Sequence, residues 1–327
     1  MTDRRNIDIP RLTAHYRTMA RIRAFEEAAE QASKDGLVTG AVHLSIGQEG
    51  IASGVCANLT ADDQITTTHR GHGHCIAKGT DPGAMMLELF GREGGTCGGK
   101  GGSMHIADFK VGMLGANGVV AAGIPIAVGA AHGAKLQGSN RVVVCFFGDG
   151  AINRGPFLEG LNWATIFRLP VLFVCESNGF ASTTRTDAVT GGPGPVARAE
   201  ALGVRAQEVD GNDVLAVDEA VAACVERMRA GGGPEFLLAR TYRLKGHTAS
   251  DPAPYRPADE VEARWAEDPK AAVARTLADA GVDVAAIDAE AKAEIDGAVA
   301  TANAAGFPAP ERAYDDIQDI GAPAWAS

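Results

Sequence analysis

The sequence predicts an α/β protein: a doubly wound, mainly parallel sheet with helices on both faces, followed by a helical C-terminal extension. Three observations predict it. Short apolar runs end abruptly in glycine or polar residues, as VVVCFF does before Gly148 and PVLFVC before Glu176. Between such runs lie stretches whose apolar residues recur at helical spacing. After Asp251 the runs stop and Ala- and Glu-rich sequence takes over.

The elements follow in order. Leu12, Tyr16, Met19, Ile22 and Phe25 are spaced four, three, three and three, which predicts an amphipathic helix over 11–34. A second helix is expected over 47–58, and DDQITTTHR reads as a short β-prone run. From 91 to 122 the chain is glycine-rich, but Cys97, Met104, His105, Ile106 and Met113 interrupt the glycines, which suits a loop that approaches a ligand rather than a linker. GIPIAVGAAHGAKL, 123–136, reads as a small-residue helix. Strand 141–147, helix 155–168 and strand 170–175 come next, then strands at RAQEVD and FLLARTYR around a helix near 213–230. Beyond PAPYRPADEV two helices are expected, one carrying Ile287, Ala291, Ile295 and Val299 at spacing four. The division is an α/β domain over 1–255 and an extension over 256–327 that packs on it or at a subunit interface.

A formal net charge of −11 argues against nucleic acid or an anionic membrane as partner. No apolar run reaches the roughly 20 residues that span a bilayer, and MTDRRNIDIP is too polar for a secretory signal. Six scattered cysteines without CxxC spacing, several in apolar runs, fit reduced core thiols. The expectation is a cytoplasmic protein without disulfides.

Asp149 lies where a strand runs into a helix, between Gly148 and Gly150, the place where doubly wound sheets bind ligands. Glycines there let a backbone approach a phosphate. The next strand ends at Asn178, 29 residues on. Adjacent parallel strands would bring both side chains to one end of the sheet. A carboxylate, an amide oxygen and a main-chain carbonyl are the hard donors that Mg²⁺ takes beside a diphosphate. A nicotinamide-binding alternative would need GxGxxG, a spacing that GDGAINRG lacks.

GDGAINRGPFLEGLNWATIFRLPVLFVCESNGF resembles the thiamine-diphosphate motif, in which GDG is followed downstream by Asn-Asn. With HLSIGQE, THRGHGH, GGKGGSMH, GANGVV and YRLKGHTASDP, residues 12 to 260 resemble the alpha subunit of the dehydrogenase component of 2-oxo-acid and acetoin dehydrogenase complexes. That resemblance implies a thiamine-diphosphate-binding fold. It implies Mg²⁺ held by Asp149, Asn178 and the carbonyl of Phe180, and a diphosphate lined by Gly148, Gly150 and Ala151. Arg70 would clamp the diphosphate, and Gly118 and Val120 would contact the aminopyrimidine ring. His43 and His247 would stand near the reactive carbon as catalytic groups, with His247 also at the diphosphate. The family usually has Asn at Ser177, Tyr at Phe180 and Tyr at His69; the last departure resembles the acetoin branch.

The resemblance further implies C–C cleavage next to a carbonyl, with acetoin favoured over pyruvate or a branched-chain 2-oxo acid, and delivery of the acyl-level product to a lipoyl-bearing acyltransferase. The glutamate that activates the cofactor comes from a beta subunit in this family. Glu49 and Glu159 are visible here but match no activating position, so an α₂β₂ assembly is expected. An inactive paralogue, favoured by Ser177 alone, is the non-catalytic alternative. His69, His72, His74 and Cys75 suggest zinc at first sight, but residues so close in sequence rarely converge on one ion. His15 and His132 fall in predicted helices and read as structural. The GGKGGSMH and SDPAPYR loops are expected to order on cofactor binding.

Overall fold

The computed structural model describes residues 7–315, so residues 316–327 of the expected extension lie outside the described part. The chain opens with α1 (Ile9–Lys34), whose first turn is capped by the Asp8 carboxylate accepting from Arg11 N. Leu12, Tyr16, Met19, Ile22 and Phe25 are all buried, as their spacing predicts. There follow α2 (Glu49–Cys56), β1 (Gln64–Thr68), α3 (His72–Lys78), α4 (Pro82–Leu89), β2 (Met113–Asn117), α5 (Gly123–Leu136), β3 (Val143–Gly148), α6 (Gly155–Ile166) and β4 (Val171–Ser177). A small hairpin, β5 (Phe180–Ala181) and β6 (Thr184–Arg185), precedes α7 (Pro195–Ala201), β7 (Arg205–Asp210), α8 (Val214–Arg229) and β8 (Glu235–Arg240).

The main sheet is parallel throughout, in the order β2-β1-β3-β4-β8-β7. Side-chain alternation on its central strands builds two cores. Val144, Phe146, Leu172, Val174, Leu237 and Ala239 meet α1, α2, α3, α4 and α8 on one face. Val143, Cys145, Phe147, Val171, Phe173, Cys175, Phe236 and Leu238 meet α5, α6 and α7 on the other. Glycine sets the helix spacing on that second face: a Cβ on Gly160 of α6 would lie 2.5 Å from Ile124 Cγ2 of α5.

FLLARTYR ends as a strand at Arg240; Thr241 N donates instead to Ser177 O. The expected two C-terminal helices are three, α9 (Ala258–Ala266), α10 (Pro269–Asp279) and α11 (Val284–Ala304). Asp268, with Pro269 behind it, caps α10 and so splits what reads as one Ala-rich stretch. On α11 the buried stripe is Ile287, Ala291, Ile295, Ala298 and Ala302, and it packs against α1 and α4. Among the described residues all six cysteines are free, and no helix is long and apolar enough to cross a membrane.

The glycine-rich segment has an internal anchor. The buried Glu88 carboxylate accepts from the amides of Cys97 (2.7 Å), Gly99 (2.8 Å), Gly101 (2.7 Å) and Gly102 (3.0 Å). Farther on, Ser103 Oγ is 2.9 Å from His72 Nε2, and His72 Nδ1 is 2.9 Å from Glu26 Oε2. In the SDPAPYR loop, Asp251 accepts from His247 N, Ala253 N and the Tyr255 hydroxyl. Backbone donors of both loops are thus satisfied by carboxylates that the glycine content did not reveal. Glu88→Ala leaves four amides without their acceptor. The expected result is at least tenfold faster limited proteolysis between residues 95 and 105, with unchanged far-ultraviolet circular dichroism. Unaltered cleavage would show that the carboxylate does not hold the loop.

Candidate active site

Strand order reverses between β1 and β3, because the chain goes outward from β1 to β2 and returns to β3 on the other side. At such a switch point the loops leaving neighbouring strands diverge and open a crevice. Here the carboxyl ends of β1, β3 and β4 open into a cavity of about 420 Å³. Arg70, Val120, Gly148, Asp149, Gly150, Ala151, Asn178, Phe180 and His247 all line it. Gly118 and His43 stand just behind its wall. A Cβ on Gly118 would lie 3.3 Å from His105 Nε2, and the His43 ring makes edge contacts with His69 and His247 at 4.4 and 4.9 Å.

β3 and β4 pair with Gly148 opposite Glu176, which places Asp149 and Asn178 at the same end of the sheet. Asp149 is 1% exposed. Its Oδ2 accepts from Gly179 N (3.1 Å) and the Thr186 hydroxyl (2.7 Å). Burial raises its pKa, against those hydrogen bonds. Asn178 Oδ1 accepts from Phe180 N at 3.2 Å, and its amide nitrogen donates to Gln48 Oε1 at 3.2 Å. These bonds fold residues 178–180 around the Asp149 carboxylate. At Gly148 a Cβ would meet nothing within 4 Å, so glycine leaves open space there, whereas at Gly150 it would lie 2.9 Å from Ala181 Cβ.

Two guanidinium groups flank this turn. Arg70 (4% exposed) donates to the carbonyls of Leu44 and His247, so its fork already holds main chain, and Arg243 (2% exposed) donates to Ser182 O and the Tyr255 hydroxyl. Among the described residues neither forms an ion pair. Burial lowers the pKa of both, that of Arg70 to about 9. Desolvated cations without a carboxylate are costly, and an anion seated between them offsets that cost. His247 is held by its own amide, which donates to Asp251 at 2.7 Å. Burial first, then Arg70 and Arg243, lower its pKa to about 4. The ring is therefore neutral at pH 7, not the near-neutral titrating group that its type suggests.

Several site residues escape a reading of the sequence. Gln48 lines the cavity, and its buried Nε2 has no hydrogen-bond partner among the described residues. Arg243 follows β8 in a stretch that reads as continuing strand. Glu176 lines the cavity and is 3.3 Å from His74 Nε2. The carboxylates visible in the sequence are elsewhere: Glu49 is buried against Arg23 at 2.5 Å, and Glu159 lies exposed on α6. Ser177 is not part of the lining. THRGHGHC does not converge on an ion, because His72 faces Glu26 and Ser103, His74 faces Thr67 and Glu176, and Cys75 is in the core. His15 is structural, between Ser53 and Asp218, and His132 packs with Trp163 and Phe167.

Residues 17–311 match the family described as dehydrogenase E1 component. The chain is 45% identical over 316 residues to the alpha subunit of acetoin:2,6-dichlorophenolindophenol oxidoreductase of Cupriavidus necator, covering 95% of each chain. The Bacillus subtilis protein of the same name is 49% identical over 245 residues, 75% of this chain and 74% of that one. The pyruvate dehydrogenase E1 component subunit alpha of Zymomonas mobilis is 38% identical over 319 residues, 96% of this chain and 90% of that one.

Proposed function

The chain belongs to the dehydrogenase E1 component family, and from that premise we propose that it is the alpha subunit of a thiamine-diphosphate- and Mg²⁺-dependent acetoin dehydrogenase. It works with a beta subunit as an α₂β₂ assembly and passes its acyl-level product to a lipoyl-bearing acyltransferase. The observation that carries this reading is the pair of buried guanidiniums without ion pairs, Arg70 and Arg243, facing a glycine-lined turn at the sheet's switch point. Such a place suits a diphosphate.

Asp149, Asn178 and the Phe180 carbonyl would hold Mg²⁺, an all-oxygen set that suits a hard cation. Gly148, Gly150 and Ala151 would bring backbone to the diphosphate. Gln48, with its unpaired buried amide nitrogen, offers a further donor. Gly118 and Val120 would present backbone to the aminopyrimidine. When bound, thiamine diphosphate supplies a carbanion equivalent for cleavage next to the carbonyl. The protein's part is orientation and proton handling. A neutral His247, fixed by Asp251 and paired at ring distance with His43, can donate an imidazole N–H to oxygen charge developing on the substrate, and the diphosphate's negative charge would raise its pKa toward the working range.

Exposed apolar side chains support the beta-subunit partner. Val119 (67% exposed) and Val120 (48%) lie at the cavity, Ile126 (47%) on α5, and Trp163 (47%) and Ile166 (62%) on α6, which packs on α5. Exposed patches of this kind mark interfaces. Free, mostly buried cysteines support a reducing, cytoplasmic setting.

The test is reduction of an artificial electron acceptor by the assembled subunits with Mg²⁺ and thiamine diphosphate, supplied with acetoin, pyruvate or a branched-chain 2-oxo acid. The expected result is a kcat/KM for acetoin at least tenfold above the others. A preference for pyruvate, which the likeness to the Zymomonas mobilis subunit favours, would keep the chemistry and change the substrate. No cofactor-dependent reduction of any of them would overturn the reading.

A further inference from the structure

We infer that His43, His69 and His247 form a binding site for a borderline-soft divalent cation such as zinc, distinct from the oxygen-lined Mg²⁺ position. The three residues come from separate segments: the loop before α2, the end of β1 and the loop after β8. One ring nitrogen from each lies within 4.8 Å of the other two. The rings meet edge to face, with centroids 4.4, 4.9 and 5.6 Å apart. A tetrahedral zinc with bonds of about 2.0–2.1 Å sets its ligand nitrogens about 3.3 Å apart, so modest ring rotations close the trio.

A second observation is independent of that proximity. His43 is 6% exposed, and its buried Nδ1 has no hydrogen-bond partner among the described residues. Buried polar atoms are normally paired, and an orphan beside two other imidazoles is what a missing ligand leaves. The donor type selects the ion: three imidazoles without a carboxylate favour zinc, cobalt, nickel or copper over Mg²⁺. All three rings are neutral at pH 7, as metal binding requires. Burial, then Arg70, lowers His43 to about 3 and His69 to about 2, and His247 lies at about 4.

Arg70 and Arg243 oppose a bare cation here. They favour instead a metal that carries an anionic fourth ligand, hydroxide or chloride. Three protein nitrogens and one open position are the pattern of exchangeable zinc sites. His69 makes the trio; a tyrosine at that place would leave only two imidazoles. Because His69 and His247 also line the cavity, the cation and the cofactor exclude one another. The binding of the cation itself does not rest on the proposed function.

The experiment titrates Co²⁺ into the metal-stripped full chain without cofactor. Expected are one equivalent per chain, the visible d–d absorption of tetrahedral nitrogen-ligated cobalt, and displacement by Zn²⁺. His69→Tyr and His43→Asn should each weaken binding at least tenfold while circular dichroism stays unchanged. His132→Asn, away from the cavity, should bind as the parent does. Absence of the tetrahedral band, or parental affinity in both His69→Tyr and His43→Asn, would overturn the site. Cobalt retained under saturating Mg²⁺ and thiamine diphosphate would overturn the mutual exclusion, and release would support it.

Discussion

Asp149→Asn is expected to stabilise the cofactor-free chain while lowering Mg²⁺-dependent thiamine-diphosphate affinity by about 100-fold or more. The two effects have one cause. Asp149 sits at 1% exposure with its pKa raised by burial. A group whose folded pKa exceeds its unfolded value favours folding below the unfolded pKa, and that contribution is lost as pH rises through the folded value. At pH 7 the ionised carboxylate is therefore a liability in the cofactor-free chain. Asparagine keeps an acceptor for Gly179 N and Thr186 Oγ1 and removes the charge. The melting temperature should rise by about 1–3 °C at pH 7, and the gain should shrink as pH falls and the parent carboxyl, its pKa raised by burial, takes up its proton. Loss of a charged ligand should cost more than the 10- to 100-fold typical of the groups that merely support ligands. Parental affinity for the cofactor in the Asn variant would remove Asp149 from the metal site. An unchanged or lower melting temperature would mean that the buried carboxylate carries no such penalty in the cofactor-free chain.

The second large effect is the dependence on a partner. The purified chain should bind Mg²⁺ and thiamine diphosphate weakly and turn over at least about 10³-fold more slowly than the assembly with its beta subunit, the order of magnitude that a positioned acid–base group contributes. Among the described residues Asp149 and Glu176 are the carboxylates in the cavity lining, and both lie at the ends of β3 and β4. Glu176 is further engaged with His74. Neither Glu49, spent on Arg23, nor the exposed Glu159 reaches the lining. Cofactor-dependent acceptor reduction by the single chain would sink the half-site reading and point to Glu176. In that case Glu176→Gln should abolish the activity.

The amino-acid sequence alone determined the alternation of buried strands and helices, because parallel strands covered on both faces must be apolar along their whole length. It also led to Asp149 and Asn178 at one end of the sheet, since each follows the carboxyl end of a strand and strands joined by a helix run parallel. The helix boundaries of α5 and the buried stripe of α1 followed from periodicity, which is a local property. What local pattern could not supply was any contact across long separations. Glu88 and the four amides it accepts lie 9 to 14 residues apart with no periodic relation. Arg70 reaches the carbonyls of Leu44 and His247 over separations of 26 and 177 residues. His43, His69 and His247 meet from three segments far apart in sequence. The histidine run 69–74 looked like one cluster and was three, because a helix beginning at His72 turns alternate side chains to different faces. Burial is likewise decided by the tertiary structure, and it is the largest cause that lowers His247 and raises Asp149 from their ordinary values, since desolvation disfavours whichever form carries the charge.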